Sequence, residues 1–445
     1  MTELLVGTQK GLFRLEGDPA SGDFDVTARA FAGQSVEYAM RDPRTGRYLA
    51  SVTSWFYGPR IWITDDPAGE WEQAEGTTLP EGEEQALERI WVIVPGAEDG
   101  VLYAGGDPGP LFESRDGGST WSLNRGLWDH PTRSDWSPGN GGLCLHTIAP
   151  WPGDPSKLLV AISSVGVWLT EDGGETWNHS NTGIVPEYLP EEARDNPIAH
   201  CVHDVRRSPG RPERLFMQFH GGVYRSDDAG GTWIDVGEGL PSDFGFPVVV
   251  DPADPDSAYV IPLIGAEDRT TPGGTVNVWE TRDAGGTWTP RGDGLPSEDA
   301  YLTVLREAFD SAGEGGSLEL YFGSTSGEVY GSGDAGGNWA SVAAHLPPVY
   351  SVRAAKRSVA VEACGRDPLR RDRDAQARPR GSRHGGLRPR LLPRVHPGQR
   401  AVGASIPRPP AGGPYFRAVG ILKSSPSTIC CSRSSTALTS SGSER

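Results

Sequence analysis

The octapeptide SRDGGSTW at residues 114–121 returns as TEDGGETW from Thr170, SDDAGGTW from Ser226, TRDAGGTW from Thr281 and SGDAGGNW from Ser332. A weaker copy, TDDPAGEW, starts at Thr64. The aspartates Asp66, Asp116, Asp172, Asp228, Asp283 and Asp334 are 50, 56, 56, 55 and 51 residues apart. A near-constant period of this length marks a repeat architecture, in which each unit buries its apolar surface only against its neighbours.

Between octapeptides the same order of short runs recurs. After Cys201 it is CVHDVRRSP, RLFMQFH and GGVYRS, then the octapeptide, then TWIDV. Each run is rich in β-branched and aromatic residues and bounded by Gly, Pro or Asp, as strands are. Named a to d in that order, strand a is expected at VEYAMRDP (36), RIWVIVPG (89), LCLHTIAPWP (143), CVHDVRRSP (201), FPVVVDP (246), YLTVLREAF (301) and VYSVRAA (349). Strand b recurs equally often, beginning with ELLVGTQ at the N-terminus. The phase is informative. The N-terminus supplies strands b, c and d of one unit, and residues 349–355 supply its missing strand a. A sheet built from both ends closes a ring and leaves only short edges. The prediction is an all-β fold, a seven-bladed β-propeller over residues 1–355. An open array or a six-bladed ring would not need the divided unit.

Charge divides the chain in the same place. Of 41 Lys+Arg and 59 Asp+Glu, residues 351–445 hold 19 and 5, leaving 22 and 54 in residues 1–350. The acidic body disfavours nucleic acid and anionic membranes as partners. Residues 356–445 are Arg/Pro/Ser-rich and hold none of the 14 tryptophans. That composition predicts a disordered tail; its abrupt onset also suits a shifted reading frame. The opening MTELLVGTQKGLFRLE has no secretory pattern, and no apolar run is long enough to span a bilayer, so a cytoplasmic protein with five reduced cysteines is expected.

In the octapeptide, the Asp can accept hydrogen bonds from its own turn, Gly tolerates positive φ and Trp packs between blades. A calcium loop needs five or more oxygen ligands and DGGSTW offers one carboxylate, so the repeat is expected to be scaffolding. S/T-x-D-x-G-x-T-W resembles the Asp-box, or bacterial neuraminidase repeat, of sialidases, sortilin-type receptors and related propellers. The resemblance covers residues 1–355 and implies a propeller. Its function is left open, because that superfamily contains glycosidases, receptors and assembly factors.

The a–b turns are short and share a face with the octapeptides. Function is expected on the other face, made by b–c and d–a connections. Three d–a loops there are long: 75–88, 125–142 and 181–200. They supply candidate ligand residues Trp128, His130, Arg133, Asp135, Trp136, Asn140, Tyr188, Arg194, Asn196 and His200, joined by His220 and Arg269. Aromatic platforms beside amides and Arg suit a sugar-like small molecule, and such a rim also suits a protein partner.

Cys144-Leu-His146 and Cys201-Val-His203 sit at one register in successive units. Residues so placed lie about 10 Å apart across blades, too far to share one ion, so neither metal nor cofactor is expected. A glycosidase needs two carboxyls about 5 to 9.5 Å apart, or a Tyr nucleophile activated by Glu as the sialidase resemblance implies. Glu37, Asp107, Asp135, Asp195, Asp243 and Asp299 are candidates, with Arg89, Arg133, Arg194 and Arg269 nearby. The chain lacks the Arg-Ile-Pro motif of sialidases; GPRIW at 58–62 comes nearest. A binding propeller is the first reading, and an exo-sialidase-like glycosyl hydrolase the second.

Overall fold

The computed structural model describes residues 1–83 and 85–356. They form seven four-stranded sheets. Blade 1 takes its strand a from Val349–Lys356 and its strands b to d from Thr2–Thr8, Gly11–Asp18 and Asp23–Ala30. Strands a of blades 2 to 7 are Ser35–Arg41, Arg89–Pro95, Leu145–Trp151, Val202–Arg207, Phe244–Asp251 and Phe309–Ala312. Each touches strand a of the blade before and after it, and the circuit closes between blades 7, 1 and 2. Leu5 lies opposite Arg353 and Val6 opposite Val352 in the closing ladder. The expected closed seven-bladed propeller is the observed fold. The tail expected over 356–445 lies outside the described residues but for Lys356.

One strand differs from expectation. Strand a of blade 7 begins at Phe309, not near Tyr301. Residues 301–308 are held instead by Thr303 Oγ1 donating to Arg269 O (2.8 Å), by Thr325 N donating to Thr303 O (2.9 Å) and by a turn from Leu305 to Ala308. The last two bonds take the carbonyls of Thr303 and Leu305 and the N–H of Ala308, which a ladder would use.

Strand b is buried on both faces, as Leu215–Phe219 shows, because each blade packs between two others. Clusters such as Leu159, Val167, Met217, Phe219 and Trp233 fill the space between blades 4 and 5. The repeated octapeptide locks each c–d turn. In blade 5, Ser226 Oγ donates to Asp228 Oδ1 (2.8 Å) and accepts from Gly230 N (2.9 Å). Thr232 N and Thr232 Oγ1 then donate to Asp228 Oδ1 and Oδ2, each at 2.8 Å. The same four bonds recur around Asp116, Asp172, Asp283 and Asp334. Both carboxylate oxygens are thus occupied by the turn itself. Trp233, Trp288 and Trp339 donate from Nε1 to Ser180, Val236 and Arg291 of the preceding blade. In the weak copy, Glu70 stands where Thr is needed, and among the described residues the Asp66 carboxylate accepts only from Ala68 N. Ser226→Ala strands the buried Gly230 N–H and is expected to cost about 1–3 kcal/mol in a urea melt; an unchanged midpoint would show that the turn is not held this way.

The axis is plugged by charge. Arg353 of the closing strand bonds Glu307 of the segment before blade 7 and donates to Tyr38 Oη (2.7 Å) of blade 2. Arg206 reaches Asp204 at 3.1 Å and Glu307 at 3.5 Å. Burial raises the Asp204 carboxyl to about 6, with Glu307 adding to the effect and Arg206 opposing it. No helix among the described residues is long and apolar enough to cross a membrane.

Candidate functional site

Strand a of six blades carries one extra residue near its start. The ladder skips a residue between Val36 and Tyr38, Ile90 and Val92, Leu145 and Thr147, and Val202 and Asp204. It skips similarly around Phe246 and at Tyr350. Such bulges re-aim a side chain. The residues re-aimed are Glu37, Trp91, His146, His203, Phe246 and Tyr350, and Arg306 occupies the matching place before blade 7. Trp91, His203, Phe246 and Arg306 line a pocket of about 480 Å³. Its other walls come from the d–a loops at 137–141 and 188–199, the b–c turns at Ser163–Ser164 and His220, and the b–c loop with Ala266 and Arg269. All of these connections lie on the face opposite the octapeptides.

One wall is aromatic. His220 meets Tyr188 at 4.4 Å with the rings tilted by 47° and Phe244 at 5.2 Å, and His203 lies 4.9 Å from Phe246. The opposite wall is cationic. Arg306, 8% exposed, packs over Trp91 (5.2 Å) and Phe246 (5.9 Å). Its guanidinium makes no hydrogen bond or ion pair among the described residues, and its Nε is buried without a partner. Trp91 Nε1 and Ser164 Oγ are buried and unpartnered beside it. Arg269 adopts a left-handed backbone (φ 57°), a strained conformation that a functional position can justify. It donates from Nε to Ala266 O (2.6 Å) and forms no ion pair among the described residues. Among the described residues no Asp or Glu lines the pocket.

Of the candidate ligand residues named from the sequence, Asn140, Tyr188, His220 and Arg269 line this pocket, as do Cys201 and His203 of the second Cys-x-His pair. The others do local work. Trp128 and Trp136 sandwich the Arg133 guanidinium at 4.4 and 4.9 Å, and Arg133 donates to Pro108 O. His130 bonds Thr132 and meets Trp168 edge-on, and Asp135 is exposed in the turn Arg133–Asp135. That loop packs Leu127 and Trp136 into the core shared by the neighbouring blades. Arg194 donates to Leu189 O and Glu187 O, and Asn196 accepts from Ile198 N, so both brace the next loop. His200 is buried against Phe219. Among the rim carboxylates, Glu37 accepts from Ser35 and Asp107 from Leu143 N, while Asp135, Asp195, Asp243 and Asp299 are exposed. Arg89 packs over Trp91.

The two Cys-x-His pairs do not converge. His146 has both ring nitrogens engaged, by Val202 O and Thr147 Oγ1, each at 3.0 Å. Cys144 bonds Gly141 O, and burial pushes its thiol up to about 12. Cys201, His203 and His220 instead bring their ligand atoms within 4.8 Å of one another. Sequence reasoning passed over Trp91, Phe246 and Arg306. Stacking the strand-a segments would have shown Trp91 and Phe246, since both sit in the column of Glu37, His146 and His203; Arg306 falls out of that column because its segment is not a strand. It also passed over the b–c turn of blade 2, where Trp55 is 99% exposed beside Phe56 and Tyr57.

Burial holds His146 and His203 well below the usual imidazole range, with Arg306 adding to it, and burial lowers His130, His200 and His220 as well. These bases take up protons more readily in the unfolded chain, so stability is lost as pH falls below about 6.5. Asp204 works in the other direction, favouring the folded state as pH drops from about 6 toward 4. The octapeptide carboxylates, Asp172 lowered to about 2 by bonds from Thr176 and Thr170, add a further loss below about 4. Burial raises the Asp107 carboxyl too, and five histidines against two carboxyls should lower the melting temperature between pH 6.5 and 5; a scan that rises or stays flat over that interval contradicts this.

No family model and no curated protein matches the chain. Among solved structures it is similar to an ancestral GH74 enzyme (15% identity, TM-score 0.45, 68% of this chain and 37% of that one). It is also similar to the GH74 enzyme of Niastella koreensis (14%, 0.44, 78% and 66%) and to YCF48 bound to D1 peptide (14%, 0.41, 66% and 78%). The chain thus spans less than two thirds of the length of either GH74 enzyme. Identities this low accompany shared folds with unrelated functions.

Proposed function

We propose that this chain is an Asp-box propeller of the cytoplasm that binds a small organic acid in the pocket opposite the octapeptides. The observation that carries the reading is Arg306. A guanidinium costs several kcal/mol to bury, and a protein tolerates that without a carboxylate partner only where something else supplies the anion. The ligand's acid group would lie between Arg306 and Arg269, and its body, a sugar ring or a flat apolar ring, against Tyr188, Phe244 and Phe246. Asn140, Ser163 and Ser164 offer hydroxyl and amide partners to a hydroxylated ring.

The glycosidase reading asks for carboxyls that this pocket does not line itself with. Tyr188 is a poor nucleophile: burial raises its phenol, and its oxygen accepts from Cys201 N at 2.8 Å. The test has two arms. Glucuronate, N-acetylneuraminate and benzoate are screened by thermal shift, where at least one is expected to stabilise the wild-type protein and none the Arg306→Gln variant. Fluorogenic glycosides, a sialoside included, are expected to remain uncleaved. Turnover that is lost on changing a rim carboxylate would overturn the binding reading.

A further inference from the structure

Blade 5 places a second kind of chemistry on the pocket wall. Cys201 and His220 face each other at the top of strands a and b, where His220 N donates to Cys201 O (3.1 Å). The bulge at Val202–Asp204 turns His203 toward the same point. His203 Nδ1 donates to Gly245 O at 2.5 Å, which fixes the tautomer and leaves the Nε2 lone pair 3.6 Å from Cys201 Sγ. His220 has no hydrogen bond on either ring nitrogen among the described residues. One thiol and two imidazoles therefore converge, one imidazole already oriented from behind by a backbone carbonyl, as metal-bound histidines usually are.

We propose that Cys201, His203 and His220 bind one zinc-class divalent cation, with a fourth coordination position open to the pocket. Ligand atoms around tetrahedral zinc lie about 3.3–3.8 Å apart, given metal–ligand bonds of about 2.0–2.3 Å. The present spread of up to 4.8 Å closes to that by small rotations of half-buried Cys201 and His220. One thiolate and two imidazoles suit zinc better than the hard cations calcium and magnesium. Binding releases the Cys201 proton to solvent, and the cation compensates the thiolate. Three protein ligands and an open position is the arrangement of zinc sites that take a further ligand. Arg269 and Arg306 add positive charge nearby, which favours an anion in that open position.

The site goes beyond the acid-binding reading and is tested without any acid. Full-length wild-type protein, stripped with chelator, is titrated with Co²⁺ alone. The expected result is one equivalent bound, with a thiolate-to-cobalt charge-transfer band and the visible bands of four-coordinate cobalt, both bleached by one equivalent of Zn²⁺. Cys201→Ser should abolish the charge-transfer band. His220→Ala, a change at a half-buried position that should not unfold the blade, should weaken Co²⁺ binding at least about tenfold. Cys144→Ser should leave it unchanged. A wild-type titration without the saturable band, or a band that survives both Cys201→Ser and His220→Ala, overturns the proposal. Acid binding that persists in these variants would leave the Arg306 reading standing on its own.

Discussion

Arg306→Leu is expected to raise the melting temperature and at the same time remove acid binding. The wild-type guanidinium lies nearly out of water, and the faces of Trp91 and Phe246 return only about 0.5–2 kcal/mol of its desolvation. Leucine fits the same apolar surroundings without that cost. The gain should be about 1–3 kcal/mol, by analogy with buried charges replaced by apolar residues. For a propeller of this size that is on the order of 1–4 °C. The loss on the binding side should be about 10- to 150-fold, the worth of one charge-assisted hydrogen bond. A residue kept for stability would give the reverse pattern, a lower melting temperature and unchanged binding.

The second large effect concerns closure. A chain ending at Pro348 lacks the innermost strand of blade 1, exposing the ladder edge of Thr2–Thr8 and uncoupling Arg353 from Glu307 and Tyr38. It should fail to give a cooperative melt, because the cost spans a whole strand. A chain ending at Lys356 retains every strand of the ring and should melt as the full chain does. Arg353→Ala, which leaves Glu307 with one fewer cation in a buried cluster, should cost about 3–5 kcal/mol. If the chain ending at Pro348 melts cooperatively at the full-chain temperature, the ends do not hold the ring together.

The architecture was legible because it rests on local, repeated signals. Turn chemistry at Asp116 or Asp228 is written in eight consecutive residues, and the divided unit is written in the phase between Leu5 and Val352. The pocket was legible only in part. Tyr188 and Asn140 stood out because they sit in long loops, and His220 and Arg269 because they end or follow strands. Trp128, Arg133 and Trp136 looked like a ligand platform because cation–aromatic stacking reads the same in sequence whether it holds a ligand or a loop. Arg306 was hidden inside a segment that reads as a strand. Its exposure to the pocket depends on the turn from Leu305 to Ala308, where Thr303 is tied to neighbouring loops through its carbonyl and its hydroxyl. The Cys201–His203–His220 cluster was hidden for a related reason. Strict alternation along strand a predicts where His203 points, and a one-residue bulge changes that.

The most direct test of the account compares an acid with its neutral twin. Isothermal titration of the wild-type protein with glucuronate and with glucuronamide isolates the contribution of a negative charge at Arg306 and Arg269, since the two sugars share their rings. Glucuronate is expected to bind at least about tenfold more tightly at low salt, with the advantage shrinking as salt is added. Equal affinities, or a preference for the amide, would contradict it.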